Sequence, residues 1–201
     1  MNKQQLKSDI RQQIRKKRNL VTPSENSILG ARLNQQLIQH NLLTAHQNIT
    51  CFLSFDGEIS TNSIIQNIFK LNKSCYLPRL IIKTKTTPNK LLFLPYNQTS
   101  TMVENHYGIP EIDLENEQAI KIENLDLVLA PLVAFDLSGN RLGMGGGYYD
   151  ATFESIKGQT KRPEFIGLAH DFQEVDSVPK DDWDLPLDGI CTPTRFLRFK
   201  K

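Results

Sequence analysis

The segment "RLGMGGGYYD", Arg141 to Asp150, places Gly143, Gly145, Gly146 and Gly147 within five positions, in a chain with only 11 glycines. Bare backbone of this kind lets successive N–H groups approach an anion, and a helix N-terminus directly after it adds partial positive charge. The spacing suits a polyphosphate, although taken alone it reads more readily as an ordinary glycine-rich turn. It is neither of the two common nucleotide loops. A P-loop needs G-K-[ST], which "GGGYYD" lacks, and the dinucleotide fingerprint needs the wider G-x-G-x-x-G with an acid about 20 residues on. Asp150 sharpens the first reading, because Mg²⁺ takes one or two carboxylates beside phosphate oxygens. Its plainer reading is an acid in the first turn of a helix, where the dipole favours it.

A second group of charges stands at the N-terminus. Lys3, Lys7, Arg11, Arg15, Lys16, Lys17 and Arg18 face a single acid, Asp9, within the first eighteen residues. Lys7, Arg11 and Arg15 recur at i, i+4 and i+8, so a helix would carry them as one basic stripe beside an apolar stripe of Leu6, Ile10 and Ile14. Cys51, Cys75 and Cys191 form no C-x-x-C pair and are odd in number, which suggests buried, reduced thiols of an intracellular protein. His40, His46, His106 and His170 have no ligand spacing, and no G-x-S-x-G elbow is present. Trp183, the single tryptophan, reads as a packing residue beside an acidic turn.

The elements that must position these residues alternate. "TPSE", Thr22 to Glu25, is a capping box that opens a second helix through Leu29, Leu33 and Leu37. "ITCFLSF" (Ile49–Phe55), "CYLPRLII", "LLFLP", "LDLVLAPLVAF" (Leu125–Phe135), "EFIGLAH" and "LDGICT" read as strands, with a helix over Ile64 to Leu71. The longest apolar run, Leu125–Phe135, is expected to be a central strand covered on both faces. Strands alternating with helices predict an α/β fold: a three-layer α/β/α sandwich with a mostly parallel sheet. Ligands then bind beyond the carboxyl ends of the strands, which is where the glycine loop falls. Residues 83–90 read as a polar loop tip, and residues 1–201 as a single domain.

Composition narrows the function. With 24 basic and 22 acidic residues, the net charge of +2 argues against a broad nucleic-acid-binding field. No run of about 18 apolar residues suggests a membrane span, and no apolar leader suggests secretion. A monomeric cytoplasmic protein acting on small molecules is expected.

"LVLAPLVAFDLSGNRLGMGGGYYD" resembles the signature of the 5-formyltetrahydrofolate cyclo-ligases, also called 5,10-methenyltetrahydrofolate synthetases. "KSDIR" (Lys7–Arg11), "FLSFDGEIST" (Phe52–Thr61) and "VPKDDWDLPLDGICTP" (Val178–Pro193) are similar to three further stretches of that family, so the resemblance spans nearly the whole chain. It implies an ATP- and Mg²⁺-dependent enzyme converting 5-formyltetrahydrofolate to 5,10-methenyltetrahydrofolate with release of ADP and phosphate. The implied fold is of the sugar-phosphate isomerase/CoA transferase-like kind. By the same resemblance Lys7, Arg11, Arg141, Leu142, Gly143, Met144, Gly145, Gly146, Gly147, Tyr148 and Tyr149 bind ATP. Leu53, Glu58, Met144 and Tyr148 contact the folate, Asp150 and Asp184 hold Mg²⁺ with Asp188 a further candidate, and Arg141 and Tyr148 act in catalysis. Some members carry Arg or Lys inside the loop where this chain has Met144 and Gly146.

Two other readings stand beside this one. A sugar-phosphate isomerase or CoA-type transferase could use the same fold without ATP, since fold alone does not settle chemistry. The basic helix could instead serve a nucleic-acid-binding module, although no aromatic stacking motif accompanies it.

Overall fold

The computed structural model describes residues 2–82, 89–115 and 117–199. Most of the polar tip expected over residues 83–90 lies outside them. Two helices open the chain, α1 (Lys3–Arg18) and α2 (Pro23–Gln39). The predicted capping box is formed: Glu25 N donates to Thr22 Oγ1 at 3.2 Å, and Thr22 N donates to Glu25 Oε2 at 2.9 Å. A cap of this kind contributes about 1 kcal/mol, enough to fix where α2 starts.

The buried stripe of α1 differs from the expected one. Lys7, Ile10, Ile14 and Arg18 are buried, whereas Leu6 is 37% exposed. Ile10 and Ile14 meet a small apolar patch of Val133, Ala134, Leu142 and Val178. Beyond that patch the helix crosses polar loops, so its next buried positions on either side are cations.

After α2 come β1 (Asn48–Thr50), α3 (Asn62–Lys70), β2 (Ser74–Ile81), β3 (Lys90–Tyr96) and a hairpin of β4 (Met102–Glu104) and β5 (Pro110–Ile112). They are followed by β6 (Leu127–Pro131), β7 (Ala134–Phe135), β8 (Arg141–Leu142), α4 (Tyr148–Phe153), β9 (Glu164–Leu168), β10 (Gly189–Cys191) and β11 (Phe196–Arg198). Among the described residues, seven strands form one sheet in the order β11, β10, β9, β6, β1, β2, β3. Its inner junctions are parallel, and only the outer pairs β2/β3 and β10/β11 are antiparallel.

Helices lie on both faces, as expected, but unequally. Leu33 and Leu37 of α2 and Ile64, Ile65 and Ile68 of α3 pack over Ile49, Cys75, Leu127, Leu129 and Ile166 on one face. On the other, Phe153 of α4 and Ile156 just beyond it meet Phe93, Val128, Phe165 and Ile190. The second layer is thin because α4 has only six residues.

Two predicted strands are shorter than their apolar runs. The stretch from Ile49 stays in the sheet only to Thr50. Beyond it hydroxyls replace the ladder: Thr61 Oγ1 donates to Phe52 O and Ser54 Oγ donates to Ile59 O. The run Leu125–Phe135 divides after Pro131. β6 is the buried central strand, while β7 leaves the sheet to pair with β8. That departure carries the chain directly into the glycine loop.

Candidate active site

The parallel strands all point their carboxyl ends toward three segments: residues 51–61 after β1, 132–150 after β6 and 169–188 after β9. Helix α1 lies across them, and four of its cations each engage a different part. Lys7 Nζ is 2.7 Å from Asp181 Oδ2 and 3.8 Å from Asp184 Oδ2. Arg11 Nε donates to Gly143 O at 2.9 Å. Arg15 grips Asp56 bidentately, at 2.8 and 3.1 Å. Arg18 Nη2 donates to Leu132 O. An exposed pair such as Arg15–Asp56 adds at most about 1 kcal/mol of stability. Its consequence is geometric: one rigid helix fixes the loops relative to one another.

Within the glycine loop the residue types have distinct causes. Gly145 and Gly147 have φ of +104° and +66°, a region that side chains disfavour. A Cβ on Gly146 would lie 2.7 Å from the Tyr148 ring, so that ring lies directly over the loop. Arg11 Nη2 would be 3.6 Å from a Cβ on Gly145, and Asn89 Nδ2 donates to Gly146 O at 2.9 Å. Met144 is 51% exposed and Leu142 is buried in the patch under α1. The ring of Tyr149 packs with Phe153 and Phe165 at centroid distances of 6.5 and 5.8 Å, which leaves its main chain beside the loop.

Arg141 is 8% exposed, and its guanidinium stands over the Phe165 ring. Its Nη2 is 2.7 Å from Asp150 Oδ1, which also accepts from Leu185 N at 2.9 Å. Asp150 is therefore tied to the residue that follows Asp184. Asp184 Oδ2 in turn accepts from Asp181 N at 2.8 Å. Among the described residues, Asp150 Oδ2 and Asp184 Oδ1 carry no hydrogen bond, and no cluster of three or more metal-type side chains occurs. Two anchored carboxylates, each with one oxygen unengaged in this way, fit an ion that keeps most of its shell for water and phosphate. They do not fit a closed all-protein metal cage.

Phe55 to Glu58 forms a tight turn, with Glu58 N donating to Phe55 O at 3.0 Å and φ of +50° and +70° at Asp56 and Gly57. Positive φ at both central residues defines a type I′ turn. Glu58 Oε2 accepts from Phe55 N at 3.2 Å, and Leu53, earlier in the same segment, is half-buried against the core. Burial pushes the Glu58 carboxyl up to about 7, although the Arg18 charge pulls in the opposite direction.

The structure adds residues that the sequence reading left out. Asp181 joins Lys3 and Lys7, and those ammonium groups hold its carboxyl below the ordinary carboxylate value. The Tyr148 phenol is raised first by desolvation and then by a hydrogen bond to Tyr107. The expectation for Trp183 is overturned: it is 67% exposed on the tight turn that Asp184 N closes on Asp181 O. Asp188 sits at the opposite end of the sheet, where it takes Arg162 at 2.7 Å through both oxygens and accepts from Phe165 N.

The mostly parallel sheet, with its loops gathered at the carboxyl ends and bridged by a basic helix, defines an α/β enzyme. The fold matches the NMR structure of Aquifex aeolicus 5,10-methenyltetrahydrofolate synthetase with a TM-score of 0.80, at 24% identity, over 98% of this chain and 94% of that one. It also matches a 5,10-methenyltetrahydrofolate synthetase from Mycoplasma pneumoniae with a TM-score of 0.72, over 93% and 98%. The model of the 5-formyltetrahydrofolate cyclo-ligase family matches residues 3–193. A 5-formyltetrahydrofolate cyclo-ligase of Haemophilus influenzae is 41% identical over 184 residues, covering 90% of this chain and 96% of that protein. One from Escherichia coli K12 is 35% identical over 182 residues, covering 90% and 97%. The chain belongs to the 5-formyltetrahydrofolate cyclo-ligase family.

Proposed function

We infer that the chain is a 5-formyltetrahydrofolate cyclo-ligase that closes 5-formyltetrahydrofolate to 5,10-methenyltetrahydrofolate at the expense of ATP, with Mg²⁺ as the ion. The observation that carries this reading is the bridging by α1. Arg11 touches the glycine loop at Gly143 while Arg15 holds Asp56, two residues from Glu58. A phosphate-type loop and a polar acceptor for a heterocycle are thereby held by one element. Family membership supplies the reaction. Kinship with sugar-phosphate isomerase and CoA transferase-like folds is consistent with the sheet, and a non-ATP activity of that kind is not favoured. A cytoplasmic, monomeric, single-domain enzyme is the setting this reading assumes.

An N-formyl amide is a poor electrophile, and its oxygen is a poor leaving group. In the proposed sequence the formyl oxygen attacks the γ-phosphorus and ADP departs, leaving an N5-iminium phosphate. N10 then attacks the former formyl carbon, and phosphate leaves with the C–O bond. Loss of the N10 proton completes the methenyl bridge. Such a path needs positioning and charge neutralisation rather than a protein nucleophile.

Arg141, Lys7 and Arg11 supply positive charge around the phosphates, and Leu142 to Tyr149 form the cradle. Asp150 and Asp184 would hold Mg²⁺, which screens the phosphate charge as it builds. Glu58 accepts from the pterin N–H groups, with Leu53, Met144 and Tyr148 as the walls. The test is to mix 5-formyltetrahydrofolate, ATP and Mg²⁺ with the protein and follow methenyltetrahydrofolate absorbance. Product that requires all three supports the reading, and no product overturns it.

A further inference from the structure

The proposed site gives Lys7 to the ATP phosphates, yet its ammonium already carries a carboxylate. Its one hydrogen bond among the described residues goes to Asp181 Oδ2 at 2.7 Å, with Asp184 Oδ2 farther off at 3.8 Å. The Lys7 side chain is 9% exposed, so its head is not free to swing out and meet a phosphate elsewhere. Two anions sharing one buried ammonium repel each other more strongly than they would in open water. An arriving phosphate oxygen therefore has to take the place that the Asp181 carboxylate holds.

Asp181 has a second partner to fall back on. Its Oδ1 is 2.8 Å from Lys3 Nζ, on a side chain that is 51% exposed. Lys3 Nζ also donates to Lys180 O at 3.0 Å, which keeps it beside the turn. One carboxylate thus bridges a buried cation and an exposed one, and it stays paired when it gives up the first. The turn itself is closed by other bonds. Asp184 N donates to Asp181 O at 3.1 Å, Asp181 N donates to Asp184 Oδ2 at 2.8 Å, and Lys157 Nζ donates to Asp182 O at 2.6 Å. None of these three uses the Asp181 carboxylate, so that group can leave Lys7 while the turn keeps its shape.

We propose that Asp181 is a built-in competitor of the nucleotide: its carboxylate holds Lys7 in the free enzyme and retires to Lys3 when a phosphate arrives. The proposal deepens the reading of Lys7 as a phosphate contact and rests on it. Affinity for ATP is then set below what the cations of α1 alone would give. The folate end is unaffected, because Arg15 rather than this turn holds the loop that carries Glu58.

The test measures Kd for Mg–ATP by calorimetry, and KM for ATP and for 5-formyltetrahydrofolate, in wild type, D181N, D181S, D182N, K7M and K7M/D181N. D181N and D181S each tighten ATP by about three- to tenfold, the release of an ion pair that is buried on its lysine side. Folate KM stays within about twofold, since only a residue competing for a phosphate contact separates the two substrates. Asp182 has a carboxylate that pairs with no cation among the described residues, so D182N removes the same charge without freeing Lys7 and leaves ATP affinity as in wild type. Adding D181N to K7M gives no further tightening, because the competition is for Lys7.

Equal tightening in D182N overturns the proposal, for the effect would then belong to the general field of the turn. ATP binding that is unmoved or weakened in D181N and D181S, with K7M still weakening ATP, overturns the role of Asp181 and leaves that of Lys7 standing. Unchanged ATP binding in K7M overturns both.

Discussion

Arg141 Nη2 stands 2.7 Å from Asp150 Oδ1, so the arginine expected to meet phosphate and the carboxylate expected to hold the metal are partners of one another. Leu185 N completes the arrangement by donating to the same oxygen. A bound metal–nucleotide would compete for both charges at once. Asp150→Asn keeps an acceptor for Leu185 N and removes the negative charge. It is expected to leave thermal stability within a few degrees of wild type and to raise the Mg²⁺ concentration for half-maximal turnover at least about tenfold, the effect of roughly 1.4 kcal/mol. Unchanged Mg²⁺ dependence would remove Asp150 from the metal site.

Arg11 reaches the glycine loop through Gly143 O and stands beside Gly145. Hydrogen bonds to charged groups contribute about 1.5–3 kcal/mol. Arg11→Ala should therefore raise KM for ATP by about 10- to 100-fold, with KM for folate within about twofold. Equal effects on the two substrates would contradict the assignment to phosphate.

Glu58 sets a pH dependence. Its pKa is raised, to about 7, so the charged acceptor is present above that value and lost as pH falls through it. Folate KM is expected to rise about tenfold per unit below neutrality and to flatten above pH about 8. Glu58→Gln should give a weak, pH-independent KM, measured from initial rates across the range. A profile of unchanged shape in that variant would assign the titration to another group.

Gly146 is flat against the Tyr148 ring. Gly146→Ala forces that ring aside, because the added carbon would lie 2.7 Å from it. Tyr148 is only half-buried, so the fold tolerates the displacement. We expect kcat/KM for folate to fall by about tenfold or more with little change in melting temperature. Wild-type kinetics in this variant would mean that the ring does not form part of the folate wall.

Trp183 provides a probe. As the single tryptophan, exposed on the turn where Asp181 pairs with Lys7, it should change emission when Mg²⁺ and ATP engage Lys7 and Asp184. The change should saturate with ATP and vanish in Trp183→Phe. Flat emission during catalytic turnover would place the nucleotide away from this turn.

Much of this arrangement was legible in the residues. The parallel sheet followed from apolar runs alternating with helical periods, and the capping box fixed the start of α2 to the residue. The extent of the strands was less legible. β7 and β8 are two residues each, too short to show a period, and nothing local says that β7 should leave the sheet. The run "RKKR" presents four similar cations, and only tertiary packing makes Arg18 the buried one. Likewise "KDDWD" offers three acids, and the reach of Lys3 and Lys7 selects Asp181 as their partner. Trp183 misled for the opposite reason: an aromatic is usually interior, but this one stands exposed on a tight turn.

Helix α1 also works as a ruler. From Lys7 to Arg18 it rises about 16 Å, and this rigid length separates the phosphate half of the proposed site from the pterin half. The two halves are thus kept in phase by helical periodicity alone. Inserting a single alanine between Arg11 and Arg15 would retain every binding residue, yet it would rotate one half by about 100° relative to the other.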